Sequence, residues 1–207
     1  MLKKTLVIVA HPNIENSRVN AHLMNALQGQ ENITIHQLYK EYPNFNIDVA
    51  TEQKLLTEHD NIVFQFPLYW YSVPALLKQW LDMVLTYGFS HGIGGDKLKA
   101  KKLQIATSTA MSLKHYNPVM FKTHPTMEPL EDTPVHQYLK PSIAEIEEDS
   151  IDALLKHLEQ SAYHISMDYQ KLFVTNSAIP TDRAPHAISE EKLNKRAKEY
   201  LDLIKSL

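Results

Sequence analysis

The stretch "TLVIVA", Thr5 to Ala10, is an unbroken apolar run that stops at His11-Pro12. A strand covered on one face would alternate apolar with polar residues. A short continuous run ended by a turn signal reads instead as a strand buried on both faces, as in a parallel sheet. Outward from it, Val19, Leu23, Ala26 and Leu27 share one helical face between about Arg18 and Leu27, and "ITIHQL" (Ile33 to Leu38) alternates as a strand does. "VATEQKLLTEH" reads as a helix, "NIVFQFP" as a second buried strand, and "PALLKQWLDMVLTY" as a helix with Pro74 in its first turn. Further on, "KLQIATST" (Lys102 to Thr109) reads as a strand, "IDALLKHLEQSAYHI" as a helix and "KLFVTN" (Lys171 to Asn176) as a fifth strand. Glu190 to Ile204 closes the chain as a helix with Leu193, Ala197, Leu201 and Ile204 inward.

Five strands alternating with helices imply an α/β fold, because right-handed crossovers place helices on both faces of a parallel sheet. The expected architecture is a flavodoxin-like three-layer sandwich whose five-stranded parallel sheet has the order 2-1-3-4-5. Such sheets bind ligands beyond the carboxyl ends of their strands, at the switch point between strands 1 and 3. That rule selects "HPNIENSRVN" after the first strand, "PLYWYS" after the third and "STAMSLKHY" after the fourth.

Composition sets the bounds. At 207 residues the chain is expected to form one domain, 1–207, with a long inserted loop at about 117–150. A net charge of −3 without a basic stripe argues against nucleic acid as a partner. No apolar run is long enough to span a membrane and "MLKK" does not begin a signal peptide, so a cytoplasmic location is expected. The absence of cysteine excludes disulfides, iron–sulfur clusters, thiolate zinc sites and a cysteine nucleophile. The eleven histidines are scattered, and no metal is expected. Of five glycines, four (Gly88, Gly92, Gly94, Gly95) lie in one loop, so neither G-x-G-x-x-G nor a Walker A loop is present.

The three selected loops have complementary chemistry. Ser17, Arg18 and Asn20 stand at a helix start, where unpaired N–H groups favour a phosphate. Tyr69, Trp70 and Tyr71 offer flat faces to a planar ring. Ser108 and Thr109 supply hydroxyls, and His115 and Tyr116 supply proton donors. Phosphate site, flat wall and donors together suggest a flavin. The aromatic cluster also fits a core or dimer surface, and the apolar stripe Leu76, Leu77, Trp80, Leu81 and Val84 fits either the core or an interface.

"AHPNIENSRVN", "LYKEYPNFNIDVATEQ", "FQFPLYWYSVPALLKQWLDMVLTYGFSHGIGG" and "KKLQIATST" resemble the flavin-dependent NAD(P)H:quinone oxidoreductase family, the DT-diaphorase-like branch of the flavodoxin superfamily. The likeness is almost continuous from Thr5 to Thr109. It is strongest to short bacterial members, some of which are ancillary proteins of glutathione-gated potassium-efflux systems. The resemblance implies cofactor contacts from His11, from Ser17, Arg18, Val19 and Asn20, from Pro67, Leu68, Tyr69, Trp70 and Tyr71, and from Ser108, Thr109, Ala110 and Met111. It implies a catalytic Tyr116, assisted by His115 or His124. FMN or FAD is the implied cofactor, with NADH or NADPH as reductant, quinones as acceptors and a homodimer as the assembly. The lack of a long C-terminal extension leans toward FMN. Where the family usually carries two glycines, this chain has Ala110 and Met111. Hydride transfer in two steps through one shared slot would account for the missing dinucleotide motif. Two alternatives stay open: a flavin-binding regulatory subunit peripherally associated with a membrane transporter, and a flavodoxin-like electron carrier. The segment from Asn117 to Ser150 is expected to act as a partial lid.

Overall fold

A computed structural model describes residues 3–111, 116, 150–179 and 187–207. His115, His124 and the segment expected to form a lid lie outside the described residues, apart from Ser150 at its end.

The apolar runs become strands β1 (Thr5–Val9), β2 (Ile33–Gln37), β3 (Asn61–Pro67) and β4 (Lys102–Ser108), with short edge strands β5 (Asp168–Tyr169) and β6 (Phe173–Thr175). All pairs are parallel, in the order β2-β1-β3-β4-β5, and β6 also pairs with β4. Every residue of β1 and of β3 is buried, as an unbroken apolar run requires. The described helices are α1 (Arg18–Ala26), α2 (Leu38–Glu41), α3 (Val49–Glu58), α4 (Ala75–Val84), α5 (Ser150–Leu154), α6 (Lys156–His164) and α7 (Glu190–Ser206). The helix expected from Ile151 to Ile165 is two helices, interrupted at Leu155. Among the described residues no helix is long and apolar enough to cross a membrane.

The alternation of β1 side chains builds two cores. Leu6 and Ile8 face one layer with Leu56, Leu76, Leu77, Trp80 and Leu158; Val7 and Val9 face the other with Val19, Leu23, Leu193, Ala197 and Tyr200. Each buried aliphatic side chain contributes about 1.5–3 kcal/mol of transfer free energy, so the two faces together drive the layering. The stripe on α4 therefore belongs to the core: Leu76, Leu77, Trp80 and Val84 are buried and Leu81 packs against them.

The fifth position differs in detail from the expected strand at Lys171 to Asn176. Leu103 pairs with Tyr169 and Ala106 with Phe173, so three steps along β4 meet four along the edge. The extra residue makes a bulge between β5 and β6, and Gln104 fills the gap by donating from Nε2 to the Lys171 carbonyl at 2.9 Å. Bulges bend an edge and spoil it as a template for further strands.

One buried charge knits the first core together. Glu52 is fully buried on α3 and accepts from Trp80 Nε1 at 2.7 Å and from the Tyr42 hydroxyl at 2.6 Å, while His36 Nε2 lies 2.9 Å away. Burial pushes the Glu52 carboxyl upward, but the groups from His36, Tyr42 and Trp80 outweigh it and hold it below its ordinary value. Burial first, and Glu52 next, push the Tyr42 phenol up. Replacing Glu52 by Ala strands two buried donors and is expected to cost about 3–5 kcal/mol. At about 2–4 °C per kcal/mol, that lowers Tm by roughly 10 °C. The folded carboxyl lies below its unfolded value of 4.5, so its contribution is complete above that pH and is lost as pH falls through the folded value. Thermal melts across the acid range should therefore show a shallower fall of Tm with pH in Glu52→Ala than in the parent chain.

Candidate functional site

The carboxyl ends of β1, β3, β4 and β6 carry the loops that sequence reasoning selected, together with one that it did not. After β1, the chain turns through a single 3-10 turn (Ile14–Asn16) before α1. His11 is half-buried, its ring set edge-on to Tyr69 at 6.3 Å between centroids. The Asn13 N–H donates to His11 Nδ1 at 3.0 Å, which leaves Nε2 as the N–H of the neutral ring, and burial lowers its pKa. Ser17 caps α1, its Oγ accepting from the Asn20 N–H at 3.2 Å. Arg18, first in the helix, donates from Nε and Nη2 to Glu190, while its Nη1 is buried without a hydrogen-bond partner among the described residues. Val19 points into the second core. Asn20 is buried: its Nδ2 donates to Ser108 Oγ at 2.8 Å, and its carbonyl accepts from Gln65 Nε2 at 2.8 Å.

After β3, Pro67 and Leu68 are buried and the aromatic triplet forms a tight turn. Tyr69 and Ser72 exchange both backbone hydrogen bonds, each 3.0 Å. Trp70 (φ 48°) and Tyr71 (φ 63°) both occupy the left-handed region that turns of this kind normally fill with Gly or Asn. Trp70 is 93% exposed, and Tyr69 and Tyr71 are also exposed. Strained backbone here carries exposed aromatic rings, a combination that burial of those rings does not explain. The turn is anchored downstream: Pro74 gives α4 no side-chain cap, and the Leu76 N–H instead donates to the Tyr39 hydroxyl at 3.2 Å.

After β4, Ser108 and Thr109 are buried, while Ala110 and Met111 are exposed. Thr109 Oγ1 donates to the Met111 carbonyl at 2.9 Å, and the Ser177 N–H reaches the same carbonyl at 3.3 Å. The Thr109 N–H donates to the Thr175 carbonyl at 3.0 Å and its carbonyl accepts from the Ala178 N–H at 2.9 Å. The loop after β6 thus braces the loop after β4. Tyr116 sits at this rim, its ring edge-on to Tyr71 at 6.1 Å and its hydroxyl accepting from the Met111 N–H at 3.5 Å.

The structure therefore brings together His11, the start of α1, the aromatic turn, the Thr109–Met111 loop and Tyr116. It adds Gln65, Tyr39, Ser177, Ala178 and Glu190, which sequence reasoning passed over. Gln65 had a signal, an amide in the middle of a strand buried on both faces. So had Tyr39, since a helix opened by Pro74 needs its cap from elsewhere. Among the described residues, no three His, Asp or Glu side chains cluster as metal ligands.

A family model described as a flavodoxin-like fold matches residues 3–137. The uncharacterized NAD(P)H oxidoreductase YdeQ of Bacillus subtilis is 38% identical over 204 residues, 99% of this chain and 87% of that protein. The chain belongs to the flavodoxin-like NAD(P)H oxidoreductase family. The glutathione-regulated potassium-efflux system ancillary protein KefG of Cronobacter sakazakii is 45% identical over 121 residues, 58% of this chain and 66% of that protein. The chain likewise spans only 53 to 65% of the length of the relatives that it matches at higher identity. Among solved structures, general stress protein 14 of Treponema denticola in complex with FMN superposes with a TM-score of 0.74 at 35% identity, covering 98% of both chains. An NADPH-quinone reductase from P. pentosaceus gives a TM-score of 0.72 at 26% identity, covering 99% of both.

The aromatic turn gives a direct test of stored strain. Glycine takes a positive φ without a Cβ penalty, and an indole that is 93% exposed forfeits almost no burial. Trp70→Gly should therefore stabilise the chain by about 1 kcal/mol, raising Tm by about 2–4 °C. A calorimetric Tm below that of the parent chain would mean that the indole is packed for stability.

Proposed function

We propose that the chain is an FMN-dependent oxidoreductase that passes hydride from NAD(P)H to quinone-like acceptors in two half-reactions sharing one slot. The observation that carries this reading is the convergence, at the switch point between β1 and β3, of the α1 N-terminus with a buried unpartnered Arg18 Nη1 and an exposed aromatic turn held in left-handed backbone. Those features fit a phosphate and a flat ring. The FMN complex of the Treponema denticola protein and the quinone-reductase neighbour support the choice of cofactor and of acceptor class.

Each residue then has a role that follows from its chemistry. The free N–H groups at the start of α1, with Arg18, hold the phosphate. Tyr69, Trp70 and Tyr71 form the wall against which ring and substrate stack, and exclude water from it. The buried Ser108 and the braced Thr109–Met111 loop set the opposite rim. Bound flavin supplies the chemistry of accepting and returning hydride. Neutral His11 offers its Nε2 proton as a donor without adding charge. Tyr116 accepts from the Met111 amide, which leaves its phenolic proton free to stabilise negative charge that develops during transfer. The missing dinucleotide motif favours ping-pong kinetics, since reductant and acceptor need no separate sites. A homodimer is part of the proposal, testable by sedimentation. The likeness to KefG favours a second reading, a flavin-binding regulatory subunit of a potassium-efflux system; co-purification with such a transporter would support it.

The decisive experiment is reconstitution with FMN followed by anaerobic mixing with NADH or NADPH. About one flavin per chain, bleached by the reductant, is the expected result for a single site. Initial-rate lines at several quinone concentrations should be parallel. Tyr116→Phe keeps the ring and removes the donor, so FMN content should hold while the bleaching rate falls about ten- to hundredfold, a loss of about 1–3 kcal/mol. An unchanged rate removes Tyr116 from the catalytic set, and a parallel loss of FMN makes it a binding residue.

A further inference from the structure

Arg18 and Glu190 lie 172 residues apart in sequence, yet each opens a helix, and the two helix starts meet at the carboxyl end of the sheet. The contact is one-sided. Arg18 Nε and Nη2 both donate to the same oxygen, Glu190 Oε1, at 2.9 and 2.6 Å. The remaining terminal nitrogen, Nη1, is buried and has no hydrogen-bond partner among the described residues. Glu190 stays 70% exposed, whereas Arg18 is 22% exposed. An ion pair with so open a carboxylate contributes little stability by itself. A buried guanidinium nitrogen without an acceptor costs more than that attraction returns, unless an acceptor arrives there in the working protein.

We propose that Glu190 is a positioning residue for the cofactor phosphate: it occupies the Nε–Nη2 edge of Arg18, the first residue of α1, and so leaves Nη1 as the edge of the guanidinium that takes the phosphate. The proposal rests on the FMN reading above and adds a residue to it. The physical gain is pre-organisation. A free arginine side chain must be ordered when it grips a phosphate, and a side chain already clamped along one edge loses less freedom. The opposing effect is repulsion between the Glu190 carboxylate and the incoming phosphate, which solvent screens at so exposed a group. Orientation therefore outweighs repulsion, and the two effects separate by substitution. Glu190→Gln keeps an oxygen acceptor and removes the charge, while Glu190→Ala removes both.

The test is a titration of the apoprotein with FMN and, in parallel, with riboflavin, which has the same ring and ribityl chain but no phosphate. Glu190→Ala should weaken FMN about three- to tenfold, the cost of ordering one long side chain on binding, and should change riboflavin affinity less than about twofold by the same reasoning. Glu190→Gln should stay within about threefold of the parent for FMN, rescued by its amide oxygen. In an Arg18→Ala background, Glu190→Ala should have no further effect on FMN, the coupling expected when one residue acts through the other. Equal weakening of both flavins would overturn the proposal and mark the pair as a structural tie between α1 and α7. Unchanged FMN affinity in Glu190→Ala, or an effect that persists without Arg18, would overturn it too. Failure of the parent chain to bind FMN would overturn the FMN reading with it, and is seen before any variant is compared.

Discussion

Gln65 is a polar side chain in a strand that is paired on both edges and buried on both faces, and it has to find a partner inside the protein. It donates to the Asn20 carbonyl, and the Asn20 amide donates in turn to Ser108 Oγ. This short relay joins β3, the first turn of α1 and the end of β4. A buried hydrogen bond is worth only about 1 kcal/mol net, yet stranding either partner costs up to about 3, so the relay penalises any slip among the three elements. The distance between the start of α1 and the rim at Ser108 is thereby fixed by side-chain hydrogen bonds.

Scarcity of glycine shapes the rest of the site. The glycines at 88–95 are committed to their own loop: a Cβ on Gly95 would lie 2.0 Å from the His91 carbonyl oxygen, and one on Gly92 would lie 2.2 Å from the Tyr87 ring. The wall after β3 turns instead through Trp70 and Tyr71, which accept a backbone conformation that L residues rarely take. Such strain persists only where the surroundings over-determine it. Here the paired bonds of Tyr69 with Ser72 close the turn, and the Tyr39 hydroxyl fixes the helix that follows. At the opposite rim Ala110 and Met111 project side chains, and hydrogen bonds from Thr109 Oγ1 and Ser177 restrain the backbone there.

The layering was legible in the sequence because burial on both faces writes itself into local pattern. "TLVIVA" and "NIVFQFP" needed no partner to be read as central strands, and the order 2-1-3-4-5 came with the flavodoxin-like reading of the alternation. The edge was less legible: β5 and β6 are held by an extra residue facing Gln104, and a bulge has no periodic signature. The loops carrying the candidate site were legible through topology alone. Their internal geometry was not, because Arg18 with Glu190, Tyr39 with Leu76 and Gln65 with Asn20 are contacts across 37 to 172 residues of chain, and no local window contains them. Asn20 illustrates the difference. Its position at a helix start suggested a ligand contact, whereas its amide is turned inward to Ser108.

The helix starts differ in how their positive ends are balanced. A helix N-terminus carries roughly half a positive charge, and chains usually answer it with a carboxylate in the first turn. α3 has Glu52, α6 has Glu159, and α7 has Glu190 and Glu191. α1 and α4, the helices that follow the loops after β1 and β3, have none. At α4 the vacancy is met by a neutral phenol, suited to the foot of an aromatic wall. At α1 it is met by an arginine, which adds positive charge to a positive end. The carboxylate that balances that arginine sits on the neighbouring helix and is mostly in solvent. Such an arrangement raises the local potential in the folded chain, and on the proposed reading a phosphate bound there would lower it, linking binding and folding free energy at this one helix start.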